Sequence, residues 1–121
     1  MKIKKVNIQD ALSSFSDHWN PHIIGELNGQ QVKAAKLKGE FVFHHHDNED
    51  EMFMVIAGNL KMALEDEIIN IKPGEFIIIP KGVSHKPIAD EEVSLLLFEP
   101  ASTLNTGNIT NEFTKKKLKR L

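Results

Sequence analysis

The sequence predicts an all-β protein, an antiparallel sandwich or barrel, on three observations. From Gln31 to Glu99 the chain divides into short runs rich in Val, Ile, Leu, Met and Phe. The breaks between runs carry Gly, Pro or paired acidic residues, which favour turns. No stretch of helical length alternates with the runs, which argues against a parallel βαβ sheet.

The elements read in order as follows. Residues 7–16 form a short helix, with Ile8, Ala11, Leu12 and Phe15 at helical spacing and Asn7 or Asp10 capping its start. Residues 17–30 contain Pro21, Gly25 and Gly29 and read as loop with short extended pieces, ending in a hairpin turn at Asn28-Gly29. Strands follow near 31–37, 40–46, 51–57, 59–64, 67–71, 75–80, 83–88 and 93–99. Lys72-Pro73-Gly74-Glu75 suits a type II turn and Ile79-Pro80-Lys81-Gly82 a type I turn. Residues 102–110 are polar loop. Residues 111–121 are expected to form a short helix carrying Phe113, Leu118 and Leu121 on one side.

Composition narrows the function. With 121 residues the chain suits one domain. Fifteen basic residues against 17 acidic ones give no electrostatic case for nucleic acid or an anionic membrane. The basic run Lys115-Lys116-Lys117 with Lys119-Arg120 reads as a solvated face. There is no cysteine, so disulfides and thiolate metal sites are excluded. The N-terminal stretch lacks the apolar core of a signal peptide, Met1 is present, and no segment is long and apolar enough to span a bilayer. A cytoplasmic protein is the expectation.

Two patches carry the chemistry: Phe43 to Gly58 (FHHHDNEDEMFMVIAG) and Pro73 to His85 (PGEFIIIPKGVSH). On an extended strand His44 and His46 share a face, with His45 on the other. Phe41 and Phe43 are then expected on the face opposite His44 and His46. Asp47 to Asp50 turn the chain, bringing Glu51 to face the pair. His85 follows a tight turn, and closing a barrel carries it towards them. Three imidazoles and a carboxylate suit a first-row transition metal. Taken alone, the first patch also fits a solvated loop in which Asp47, Glu49 and Asp50 pair with imidazoles. His18 and His22 read as surface or loop-packing residues.

These patches resemble the two motifs of the cupin superfamily. His44, His46, Glu51 and Gly58 match the first (His-x-His, four residues, Glu, six residues, Gly). Gly74, Pro80, Gly82 and His85 match the second (Gly, five residues, Pro-x-Gly, two residues, His). Two positions depart from the pattern: Gly39 lies one residue closer to His44 than the leading glycine usually does, and Ala89 stands where asparagine is common. The resemblance implies an antiparallel double-stranded β-helix, or jelly-roll barrel, with its core at about 31–100 in a single 1–121 domain. It also implies one divalent transition metal (Fe, Mn, Ni, Zn or Cu) on His44, His46, Glu51 and His85, with Glu51 as catalytic base.

Two functions stay open: a metal-dependent enzyme, dioxygenase-like or sugar-isomerase-like, acting on a small molecule, and a non-catalytic metal- or metabolite-binding module. Phe53, Val55, Met62, Ile77 and Ile79 are the expected apolar walls. The runs FIIIP and VSLLLF are apolar on both faces, so each needs a second covering layer. A homodimer through an outer sheet face is expected, as in similar small cupins. Imidazole must be neutral to ligate, so metal affinity should fall below about pH 6.5.

Overall fold

The computed structural model describes residues 2–121; Met1 lies outside the described residues. Helix α1 (Ile8–Ser13) is capped as expected, Asn7 Oδ1 accepting from the Asp10 amide at 2.9 Å. It is shorter than the periodicity suggested, because the Ser14 amide already closes the last turn on the Ala11 carbonyl. Its one buried side chain, Leu12, packs on Ala34 and Leu96.

Seven strands follow: β1 (His22–Leu27), β2 (Gln30–Glu40), β3 (Glu51–Ala57), β4 (Leu60–Ala63), β5 (Ile68–Ile71), β6 (Phe76–Ile79) and β7 (Lys86–Pro100). Every pairing among these seven strands is antiparallel. The order runs β1-β2-β7-β3-β6, with β4 joined to both β5 and β7. The architecture is the double-stranded β-helix of the jelly-roll class. Strand β7 organises it by pairing along its length with β2, β3 and β4. The barrel interior holds Leu37, Phe53, Val55, Leu60, Met62, Ile71, Val93, Leu95 and Leu97. Leu96 points the other way, under α1, which explains why VSLLLF is apolar on both faces.

Five expectations need correction. Residues 22–27 form a full strand rather than loop, because the Asn28-Gly29 turn, with φ of 50° and 77°, closes a true hairpin onto β2. The strands expected at 83–88 and 93–99 are one strand: β2 pairs with both halves and absorbs the break as an irregularity between Leu37 and Gly39. The strand expected at 40–46 reduces to one bridge, His44 with His85. The turn after β6 is Pro80–Val83, with Gly82 at φ 83°, a type II geometry one residue later than expected.

The fifth concerns the tail. Residues 111–121 are not helical. Asn111 Oδ1 takes the Phe113 amide, Thr114 Oγ1 the Asn111 amide and Asn105 Oδ1 the Lys115 amide, at 2.8–2.9 Å, and the last of these is an amide that a helix starting at residue 111 would have bonded internally. The chain end instead lies alongside β1, where the Ile23 amide donates to the Lys119 carbonyl and the Leu121 amide to the Ile23 carbonyl. Among the described residues no helix is long and apolar enough to cross a membrane.

Candidate metal centre

The four sequence-predicted ligands converge. His44, His46, Glu51 and His85 are all buried, and one ligand atom from each lies within 4.8 Å of the others. His44 and His46 sit on the irregular segment after β2, Glu51 opens β3, and His85 immediately precedes β7. Two backbone bonds weld the outer pair: the His44 amide donates to the His85 carbonyl at 3.0 Å, and the His85 amide to the His44 carbonyl at 2.9 Å.

The same segment overturns one orientation read from alternation. The Phe41 amide donates to the Pro87 carbonyl. From there to the His44–His85 pair is three residues on one side and two on the other, so one residue is extra. Phe41 therefore turns inward beside His44, with ring centroids 5.3 Å apart, while Phe43 stays exposed. His45 lies partly exposed, with Nε2 2.9 Å from Asp47. His18 pairs with Glu92, and buried His22 lies against Phe15 and Asp17, so neither belongs to the centre.

Ring nitrogen chemistry decides what the cluster holds. Nδ1 of His44 lies 2.9 Å from the Val42 carbonyl and Nδ1 of His85 2.9 Å from the Val83 carbonyl. A carbonyl oxygen only accepts, so both Nδ1 atoms donate, and in the neutral rings each Nε2 carries a lone pair. Nε2 of His85 nonetheless lies 3.2 Å from Glu51 Oε1, an acceptor facing an acceptor. Nε2 of His46 lies 3.3 Å from the same oxygen, misaligned for a hydrogen bond, and neither ring nitrogen of His46 has a partner. Buried polar atoms are seldom left so. A cation among these atoms turns each repulsive or orphaned contact into a bond, so the donor set fits a divalent transition metal.

Protonation agrees with that arrangement. Burial first, and the neighbouring His85 second, push the His44 pKa down to about 4. A proton thus competes for this ligand only in more acidic solution than pH 6.5, the value expected from an unperturbed imidazole. Burial opposes ionisation of Glu51, but His46 and His85 beside it prevail and hold its carboxyl well below the usual range.

Sequence reading missed a second buried carboxylate. Glu99 lies on β7, one position beyond the Met52–Phe98 pair and so across from Glu51. Its Oε1 accepts from Lys33 Nζ on β2 at 3.0 Å, both side chains 2% exposed, while Oε2 has no partner. Burial and the Glu51 charge raise the Glu99 pKa, against the pull of Lys33. Raised in this way, Glu99 holds its proton more readily than Glu51, so Glu51 is the member of the pair that meets a cation as an anion. The available signal was Lys33 inside an otherwise half-apolar strand, together with Glu99 ending the run LLLFE.

A narrow, half-open cleft of about 40 Å³ opens onto His44 and Glu51. Of the expected walls only Phe53 lines it; Val55, Met62 and Ile79 lie in the barrel core, with Ile77 packed against it. Trp19 and Phe41, stacked with centroids 4.7 Å apart, line it instead.

Comparison with known proteins gives consistent results. A family model described as the cupin domain matches residues 34–99. The crystal structure of a cupin-2 domain containing protein from Shewanella frigidimarina is 45% identical, covers 78% of this chain and 93% of that one, and superposes with a TM-score of 0.78. YdbB of Bacillus subtilis is 38% identical over 52% of this chain, and a protein of Aquifex aeolicus 36% identical over 54%. Those matches span 57% and 55% of the two relatives' own lengths. Hydroquinone 1,2-dioxygenase from Sphingomonas shares the fold, with a TM-score of 0.74 at 17% identity, over 84% of this chain and 33% of that one.

Proposed function

The chain belongs to the cupin family, and from that premise we propose that it is a metal-dependent enzyme acting on a small molecule. His44, His46, Glu51 and His85 hold one divalent transition metal. The observation that carries this reading is the facing of His85 Nε2 and Glu51 Oε1 at 3.2 Å, beside an imidazole with no partner at either nitrogen. Such a metal supplies Lewis acidity and, for redox-active ions, dioxygen chemistry. His44 and His85 keep Nε2 turned inward because their Nδ1 atoms are tied to the Val42 and Val83 carbonyls. Glu51, ionised at neutral pH, is the one carboxylate ligand and the group placed to accept a proton from a substrate in the cleft.

Elemental analysis of freshly purified protein tests the centre. We expect about one equivalent of transition metal in the parent protein and a near-complete loss in a His44→Ala, His85→Ala double variant. Equal metal content in both removes the reading. Catalysis is tested by reconstitution with iron, manganese, nickel, copper and zinc, followed by screens for oxygen uptake and isomerisation. Binding without turnover by any form points to the capture module instead.

We also propose a homodimer through the outer face of the barrel at its β6 edge. Phe76 and Ile78 are more than half exposed there and pair with Met54 and Met52 of β3. Helix α1 packs its Leu12 against Ala34 of β2 and Leu96 of β7, with Met54 and Ile56 of β3 beside the same cluster, and leaves Phe76 and Ile78 exposed. A contiguous apolar strip at a sheet edge favours burial against another surface.

A further inference from the structure

The cleft above the metal centre distinguishes between substrate classes, an inference that rests on the metal-dependent reading just given. Nine of its twelve lining residues are apolar, and the other three are His44, Glu51 and Asn105. Asn105 is already committed: its Nδ2 donates to the Phe113 carbonyl at 2.7 Å and its Oδ1 accepts from the Lys115 amide at 2.8 Å. The Trp19 indole N–H is committed too, donating to the Lys38 carbonyl at 2.9 Å. Pro21 and Pro87 bring no N–H, and the Phe41 amide is bonded to the Pro87 carbonyl. These polar groups of the wall are therefore occupied save one amide hydrogen and one lone pair of Asn105, and His44 and Glu51 are the other lining side chains left to meet a polar atom.

Such a wall penalises a polyol. Each hydroxyl buried without a partner costs about 1–3 kcal/mol, whereas hydrocarbon gains about 25 cal/mol per Å² buried. We propose that the site takes a small molecule with a single oxygen-bearing head and a hydrocarbon body, and that it rejects sugars and sugar acids. The head, a carboxylate or enolate, lies at the His44 and Glu51 end, where a metal meets it. The body lies against Trp19, Phe41, Phe53 and Leu95. A second, wider and more polar crevice of about 130 Å³ touches the centre only through His46. Its acidic residues, Asp47 and Glu49, oppose an anionic ligand there.

Trp19 reports on this cleft by itself, because the chain has one tryptophan and no tyrosine. Zinc-loaded protein is titrated with cyclohexanecarboxylate and with glucuronate, two six-membered rings bearing one carboxylate each. Cyclohexanecarboxylate should shift the Trp19 emission to the blue and bind at least tenfold more tightly. Glucuronate binding as tightly, or calorimetric binding of cyclohexanecarboxylate without an emission change, overturns the proposal. Ala35→Leu, which fills the cleft from β2, should weaken cyclohexanecarboxylate at least tenfold; undiminished affinity in the folded variant contradicts the placement. Failure of zinc to bind counts against the metal reading instead. The cleft is then judged on metal-free protein with cyclohexanol and inositol. An emission shift with cyclohexanol alone supports the apolar cleft, and a shift with inositol alone, or with neither, overturns it.

Discussion

Gly107 lies far from the histidines in sequence, yet a single methyl group there should disable them. Its φ is 57°, and a Cβ built on it would sit 2.1 Å from the His45 carbonyl oxygen, 2.9 Å from the His45 carbonyl carbon and 3.2 Å from His44 Cδ2. An ordinary carbon–oxygen contact is at least about 3.2 Å, so the backbone must separate by about 1 Å. The two segments are clamped where they touch. The His45 amide donates to Asn108 Oδ1 at 2.9 Å and the Asn108 amide to the His45 carbonyl at 3.0 Å. Gly107→Ala therefore combines about 1 kcal/mol of left-handed backbone strain with about 1–3 kcal/mol of overpacking or lost hydrogen bonding. Metal bonds tolerate errors of only about 0.2 Å, so a displaced His44 should weaken zinc binding about tenfold or more.

Gly58→Ala is the matched control. Gly58 has φ 87°, and its Cβ would meet the Glu92 carbonyl oxygen at 2.6 Å, with no metal ligand among the nearest atoms. Both variants should lose a comparable few kcal/mol in denaturation of the metal-free protein, but only Gly107→Ala should lose zinc affinity by calorimetry. If the two bind zinc equally well, the 101–110 loop does not hold His44 in place, and the reasoning fails.

Three further outcomes follow from the same geometry. Lys33→Met strips Glu99 of its buried partner and should cost about 3–5 kcal/mol, while Lys33→Met with Glu99→Met together should cost less than Lys33→Met alone; a double variant as unstable as the sum of its parts contradicts the pairing. His44 is buried neutral with a pKa near 4, against about 6.5 when unfolded. Between those values the unfolded chain binds a proton that the folded protein refuses, so stability is full above about pH 6.5 and is lost as pH falls towards 4, by up to about 1.4 kcal/mol per pH unit from this group. Chelator-treated protein equally stable to urea at pH 7 and pH 5 would contradict this. Ile78→Lys places a charge on the exposed β6 edge and should convert a dimer to monomer in sedimentation at micromolar concentration; a parent protein that is already monomeric removes the dimer.

The primary structure alone determined which residues the fold brings together in the candidate centre. His44 and His46 two apart, Glu51 five further on, and His85 behind a Pro-Gly turn are spacings visible in one dimension, because ligand type and strand alternation are local properties. The strand-rich middle was legible for the same reason. Where local reading failed, a non-local partner had intervened. Nothing in residues 83–99 reveals that β2 pairs with both halves of β7 and makes them continuous. The three apolar or amphipathic positions of residues 111–121 suggested a helix, but Asn105 takes the Lys115 amide and β1 takes the chain end, leaving turns and bends between them. Phe41 was assigned to the wrong face because one extra residue opposite Pro87 breaks the alternation. The apolar character of the cleft, the Lys33–Glu99 pair behind Glu51 and the pressure of Gly107 on His45 all depend on contacts across 60 or more residues. Tertiary structure decided these, because side-chain periodicity records which way a residue faces within its own strand and carries no information about what the folded chain sets against it.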